Sequence, residues 1–125
     1  MFEFSDTIEA ARKTIPAVSP QEACALKTSD QDVLFIDPRG PVDILATTGL
    51  IPGAINLPLD TLSHASDDEL PQELAEHTRP IITTCQGGPL GAVAAYVLKQ
   101  RGFNNVHFID GGTQGWLDAG YATIR

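Results

Sequence analysis

The sequence predicts an α/β fold: a parallel sheet covered by helices on both faces. Three observations carry that expectation. Short continuous apolar runs of strand length alternate with helix-like segments, short loops separate them, and no internal repeat or low-complexity linker interrupts the pattern. The 125 residues, 42% of them hydrophobic, suit one domain able to bury a core without metal or disulfide staples.

Thr7 to Thr14 reads as a short N-terminal helix that stops before Pro16. Ser19-Pro20-Gln21-Glu22 has the form of a capping box, with Pro20 at the first helical position, and predicts a helix through about Leu26. Cys24 lies inside that helix, where a thiol is expected to be core filler. Val33-Leu34-Phe35-Ile36 is a run of β-formers that suits a strand buried on both faces, and it ends in the loop Asp37-Pro38-Arg39-Gly40. Ile51 to Pro58 places a short strand between two prolines. Asp67 to His77 reads as a polar, exposed helix with an interruption at Pro71. Ile81-Ile82-Thr83-Thr84 is a further buried strand that leads directly into Cys85-Gln86-Gly87-Gly88-Pro89-Leu90-Gly91. The apolar stretch Ala92 to Leu98 is the next helix, with Lys99 and Arg101 suited to its negative end and Gly102 just beyond. Val106-His107-Phe108-Ile109 is another strand, and Gly111-Gly112 turns the chain into a last short helix with Thr113 as N-cap.

Charge and composition exclude several functions. A net charge of −8 with eight scattered basic residues repels a phosphate backbone, so nucleic acid is not an expected partner. No apolar run of about 18 residues exists to span a membrane, and Met1 to Asp6 lacks a basic segment leading into an apolar one. The expected compartment is the cytoplasm, where Cys24 and Cys85 would remain thiols. His64, His77 and His107 show no ligand spacing with either cysteine, so a metal site is not implied.

Ligands of such sheets bind at the carboxyl ends of the strands, where the Asp37 loop and the Cys85 loop should both lie. Cys85 follows a strand and precedes a helix, which places its sulfur over the positive end of the helix dipole and favours the thiolate. The glycines let the loop curl into an anion cradle of backbone amides from Gly87, Gly88, Leu90 and Gly91. Pro89 stiffens the loop and removes one donor. Cys85 is therefore the candidate catalytic residue, with Gln86, Gly87, Gly88, Leu90, Gly91 and Arg39 as substrate-binding candidates and Asp37 in support.

The blocks Ser19-Pro20-Gln21-Glu22-Ala23, Val33 to Arg39, Ile51 to Pro58, the strand ending in Cys85, Gly102 to Val106, Gly111-Gly112, Gly115-Trp116 and Ala119-Gly120-Tyr121, in this order and spacing, resemble the rhodanese-homology (sulfurtransferase) domain family. The resemblance spans nearly the whole chain. It implies one domain over residues 1–125 with a central parallel sheet of about five short strands and helices on both faces. It also implies that Cys85 takes sulfane sulfur from a small donor or a protein persulfide. The resulting persulfide passes to a thiol or cyanide without any cofactor, a role in sulfur metabolism. Three positions depart from the family pattern. Leu90 stands where many active members have an arginine for an anionic donor, which implies weak thiosulfate binding. Leu50 replaces a frequent histidine, and Pro38 replaces an aliphatic residue.

Several alternatives stay open on the residues. Arg39 could form a surface ion pair with Asp37 or Asp43, or supply the positive field that Leu90 lacks. Asp37 is expected to accept hydrogen bonds from the Cys85 loop or a helix start. Trp116 is expected in the core rather than at a pocket mouth, and His64 is the histidine placed nearest the site. The whole domain could instead be a catalytically quiet binding or regulatory module. A phosphatase or arsenate reductase needs an arginine closing the cysteine loop, and the six positions after Cys85 contain no basic residue.

Overall fold

Strands β2 (Leu34–Asp37) and β4 (Ile81–Thr83) are buried along their whole length, because their apolar runs have helices on both sides. The computed structural model describes residues 4–29, 32–87 and 89–125. In chain order the remaining elements are α1 (Phe4–Thr14), β1 (Ala17–Val18), α2 (Pro20–Ser29), α3 (Pro41–Ala46), β3 (Ile55–Asn56), α4 (Leu59–His64), α5 (Pro89–Gln100), β5 (Val106–Ile109) and α6 (Gly112–Asp118). The five strands form one wholly parallel sheet in the order β1-β5-β4-β2-β3.

Alternation along each strand divides the core into two layers. Leu34, Ile36, Ile81, Val106 and Phe108 point into one layer with Ala11, Leu62, Ala95 and Leu98 from α1, α4 and α5. Phe35, Ile82 and Ile109 point into the other with Ala23 of α2 and Trp116 of α6. Cys24 packs against this second layer from α2, half-buried, in the packing role expected of it. Among the described residues no helix is long and apolar enough to cross a membrane.

The capping box forms as its residues dictate: Glu22 N–H donates to Ser19 Oγ, and Ser19 N–H donates to Glu22 Oε1, each at 3.0 Å. The helix it starts runs on to Ser29, beyond the expected end at Leu26. The strand expected from Val33 starts at Leu34 and includes Asp37. Three elements carried no sequence signal strong enough to predict: the two-residue strand β1 and the six-residue helices α3 and α4.

Two expectations are corrected. Asp67 to His77 is not a helix but two 3₁₀ turns, Asp67–Glu69 and Gln72–Leu74. Pro71 separates them: it lacks an N–H and forces Leu70 into extended backbone (φ −73°, ψ 152°). Thr113 is not an N-cap. Gly111, at φ 80°, holds that position, and Thr113 lies inside α6 with its side chain fully buried.

Candidate functional site

Strand β4 delivers Cys85 to the carboxyl end of the sheet. Thr84 continues the ladder by one residue, donating its N–H to the Ile36 carbonyl at 3.0 Å. Thr83 Oγ1 donates to the Gly91 carbonyl at 2.5 Å and pins the first turn of α5 to the strand. Helix and strand approach so closely here that a Cβ on Gly91 would lie 3.2 Å from Thr84 Cα and 3.3 Å from the Cys85 nitrogen. Helix α5 begins at Pro89, earlier than the apolar pattern suggests, so Pro89, Leu90 and Gly91 form its first turn. Amides of that turn have no intrahelical acceptor, and they present the positive end of a 12-residue helix beside the cysteine.

The loop is also held from behind by α6. Thr113 N–H donates to the Cys85 carbonyl at 2.7 Å, and Gln114 N–H donates to the Gln86 carbonyl at 3.0 Å. The hydroxyls of Thr113 and Thr84 meet at 2.9 Å in the interior. This contact leaves no room at Gly112, where φ is +64° and a Cβ would lie 2.6 Å from the Cys85 carbonyl oxygen. Both loop carbonyls are thus engaged by α6, which limits the negative partial charge facing the thiol.

Cys85 is 4% exposed and sits at the base of an open cleft of about 400 Å³. Arg39, Asp43, Thr47, Gln86, Pro89 and Leu90 complete the lining. Gln86 and Gly87 are exposed, Leu90 is half-buried, and Gly91 is buried beneath the loop. Gly88 lies outside the described residues. A larger concavity of about 490 Å³ opens at the opposite end of the sheet, around Asp32 and Pro80 ahead of β2 and β4, and contains no nucleophilic thiol.

Arg39 and Asp37 form a buried pair rather than a surface one, 5% and 0% exposed, with Arg39 Nη2 2.7 Å from Asp37 Oδ2. Asp37 Oδ1 also accepts from Arg39 Nε at 3.0 Å and from the Arg39 backbone N–H at 3.1 Å. The other donors of the guanidinium reach Thr47 Oγ1, Thr48 Oγ1 and the Gly49 carbonyl. The Asp37 carboxylate is thus held by Arg39, where a bond from the cysteine loop or a helix start was expected. Burial without compensation would be costly for either charge, and this closed network supplies the compensation. Asn56 Nδ2 completes it by donating to the carbonyls of Asp37 and Arg39.

Thr47, Thr48, Asn56 and Thr84 were not singled out by sequence reasoning, and Thr113 was singled out only as an N-cap. The one usable signal was Arg39 itself, since a guanidinium following a buried strand needs several acceptors close by. The C-terminal segment reaches the same place: Thr123 Oγ1 donates to the Thr48 carbonyl at 2.6 Å, Arg125 donates to the Thr47 carbonyl, and Leu50 pairs with Ile124.

Trp116 is core, 3% exposed, edge-on to Phe35, with its indole N–H donated to the Ala122 carbonyl at 2.9 Å. His64 is exposed at the end of α4, 3.1 Å from Asp60, and does not line the cleft. His77 stacks on Phe103 with ring centroids 4.3 Å apart. Neither cysteine is in a disulfide. Among the described residues no group of three or more His, Cys, Asp or Glu side chains gathers in a metal-binding arrangement.

Comparison with known proteins gives a consistent result. A Drosophila melanogaster rhodanese domain-containing protein is 34% identical over 92 residues, 68% of this chain and 82% of its own length. The thiosulfate sulfurtransferase GlpE of Pseudoalteromonas translucida is 35% identical over 74% of this chain and 79% of its own. Among solved structures, a Rhodopseudomonas palustris protein described as of unknown function and a possible tyrosine phosphatase superimposes with a TM-score of 0.86 at 26% identity, covering 99% of this chain and 96% of that one. The human single-domain sulfurtransferase TSTD1 superimposes with a TM-score of 0.70 at 25% identity, covering 82% of this chain and 96% of its own. The family profile of the rhodanese-like domain matches residues 19–119, which include both the Asp37 loop and the Cys85 loop, and the chain therefore belongs to the rhodanese-like domain family.

Proposed function

We propose that this protein is a sulfurtransferase that carries sulfane sulfur as a persulfide on Cys85 and passes it to a thiophilic acceptor, a thiol or cyanide. One observation carries this reading: Cys85 lies at the base of a cleft, beside the first turn of α5, with its own carbonyl tied back to α6. The Cys85 thiolate attacks the outer sulfur of a donor R–S–SH. A new S–S bond forms at Cys85 as the donor's S–S bond breaks, and RS⁻ leaves. Amides of the α5 first turn, which have no intrahelical acceptor, stabilise the anionic outer sulfur of the resulting persulfide. Attack by the acceptor on that outer sulfur regenerates the thiolate. All of this is thiol chemistry, and it suits a reducing compartment such as the cytoplasm.

Phosphoryl transfer is the weaker reading. It needs a guanidinium closing the cysteine loop, and Leu90 and Gly91 supply none. Arg39, the one arginine in the cleft, is already neutralised by Asp37.

Incubation with glutathione persulfide, thiosulfate and inorganic polysulfide, followed by mass spectrometry, tests the proposal. Gain of one sulfur atom on Cys85, absent in Cys85→Ser, is the expected result. No adduct from any donor would overturn it and favour a quiet binding or regulatory module.

A further inference from the structure

The charges around Cys85 do not suit an anionic donor. Among the described residues, two charged side chains line the cleft, Arg39 and Asp43. Arg39 contributes little net field there, because its guanidinium is 2.7 Å from the buried Asp37 carboxylate and its other donors reach Thr47, Thr48 and Gly49. Asp43 is exposed in the first turn of α3 and takes part in none of the ion pairs among the described residues. Thr47, one turn later, donates its hydroxyl to the Asp43 carbonyl, so the two residues occupy the same face at the cleft wall. Leu90 adds an apolar surface to the cleft and no charge. Among the described residues, the formally charged side chain that lines the cleft without an ion-pair partner is therefore negative, in a chain whose net charge is already −8.

We propose that Asp43 is a specificity-determining residue, selecting persulfide donors that carry an ammonium group close to the sulfane sulfur and opposing multiply anionic donors such as thiosulfate. This rests on the persulfide reading and names the donor class for it. The transfer itself is unchanged: Cys85–S⁻ plus R–S–SH gives Cys85–S–SH plus RS⁻, with no further oxidant or reductant. Asp43 touches only R, as an ion-pair partner for its ammonium group. The pair is solvent-exposed, so its effect is modest and falls with added salt.

The test compares aminoethyl, hydroxyethyl and carboxyethyl persulfide, which share a two-carbon spacer, with thiosulfate alongside, scored by the rate of sulfur addition to Cys85. The wild-type order expected is aminoethyl, hydroxyethyl, carboxyethyl, thiosulfate. Asp43→Asn should remove about five-fold of the aminoethyl preference over hydroxyethyl, the scale of one contact ion pair in a high dielectric. The change should appear in KM rather than kcat, shrink at high salt, and be restored by Asp43→Glu. Equal slowing of all donors in Asp43→Asn would show a structural role and overturn the inference. So would unchanged donor ratios, and both outcomes leave the persulfide reading standing. That reading fails separately, if wild-type Cys85 accepts sulfur from no donor.

Discussion

The backbone N–H of Thr113, inside α6, is donated at 2.7 Å to the carbonyl of Cys85, in the loop that follows β4. The Cys85 loop is therefore braced at both ends: α5 packs against its front through Gly91, and α6 holds the Cys85 and Gln86 carbonyls from behind. Gly112 is the residue that permits the second contact.

Gly112→Ala should damage both stability and reactivity. A non-glycine residue at positive φ costs about 1–2 kcal/mol, and the new methyl would also collide with the Cys85 and Gln86 carbonyl oxygens at 2.6 and 2.7 Å. Thermal unfolding followed by circular dichroism should show a loss on the order of 5–10 °C, and alkylation of Cys85 should change in rate. Gly87→Ala, whose methyl meets nothing within 4 Å, is the stability control.

Removing one member of the buried Arg39–Asp37 pair should be far worse than removing both. Arg39→Met leaves the Asp37 carboxylate buried with no cation, and the expected loss is about 3–5 kcal/mol. Arg39→Met combined with Asp37→Leu should recover much of it, as read from urea midpoints. Arg39→Lys should not substitute, because one ammonium cannot serve Asp37, Thr47 and Thr48 from the positions a guanidinium reaches. Equal losses in the single and double variants would show that the pair is not what holds this loop.

A second capping box, in which Ser66 N–H donates to Glu69 Oε1 at 2.9 Å, opens the Asp67–Glu69 turn, and together with the Ser19–Glu22 box it makes a small pH-dependent contribution to stability. Hydrogen bonds from the Ser19 backbone and then its hydroxyl hold Glu22 below the ordinary glutamate value of 4.5, and Ser66 does the same for Glu69. A depressed folded-state value means the stabilisation is fully present above about pH 4.5 and is lost as pH falls through the folded values. Ser19→Ala with Ser66→Ala should flatten the acid limb of the stability–pH curve. Carboxyl NMR titration should show both glutamates moving up toward the ordinary value.

Cys24 should be silent in the chemistry. It is half-buried on α2 against the Phe35 layer and does not line the cleft. Iodoacetamide labelling should keep its fast phase in Cys24→Ser and lose it in Cys85→Ser.

The sheet's buried strands and the position of Cys85 were legible because their signals are local: short runs of β-forming residues such as Val33 to Ile36, or a cysteine between a strand and a helix. Ala17–Val18 was not, since two residues show no period and their pairing with Phe108 and Ile109 comes from distant sequence. Asp67 to His77 misled because Asp67, Glu69 and Glu73 are compatible with a helix, while the constraint from Pro71 falls on Leu70 before it. Arg39 posed a different difficulty. Asp-x-Arg shows a nearby carboxylate but not its burial, and Thr47 and Thr48 are brought to the guanidinium only when α3 forms.

The order β1-β5-β4-β2-β3 places the two shortest strands, Ala17–Val18 and Ile55–Asn56, at the two margins of the sheet. Pro16 and Pro20 flank the first, Pro52 and Pro58 the second, and a proline has no N–H to offer another strand. Neither margin gives a foreign chain a length on which to extend the sheet. The parallel strands that position Cys85 are thereby insulated from strand-addition aggregation, the hazard to which a sheet with long bare margins is prone.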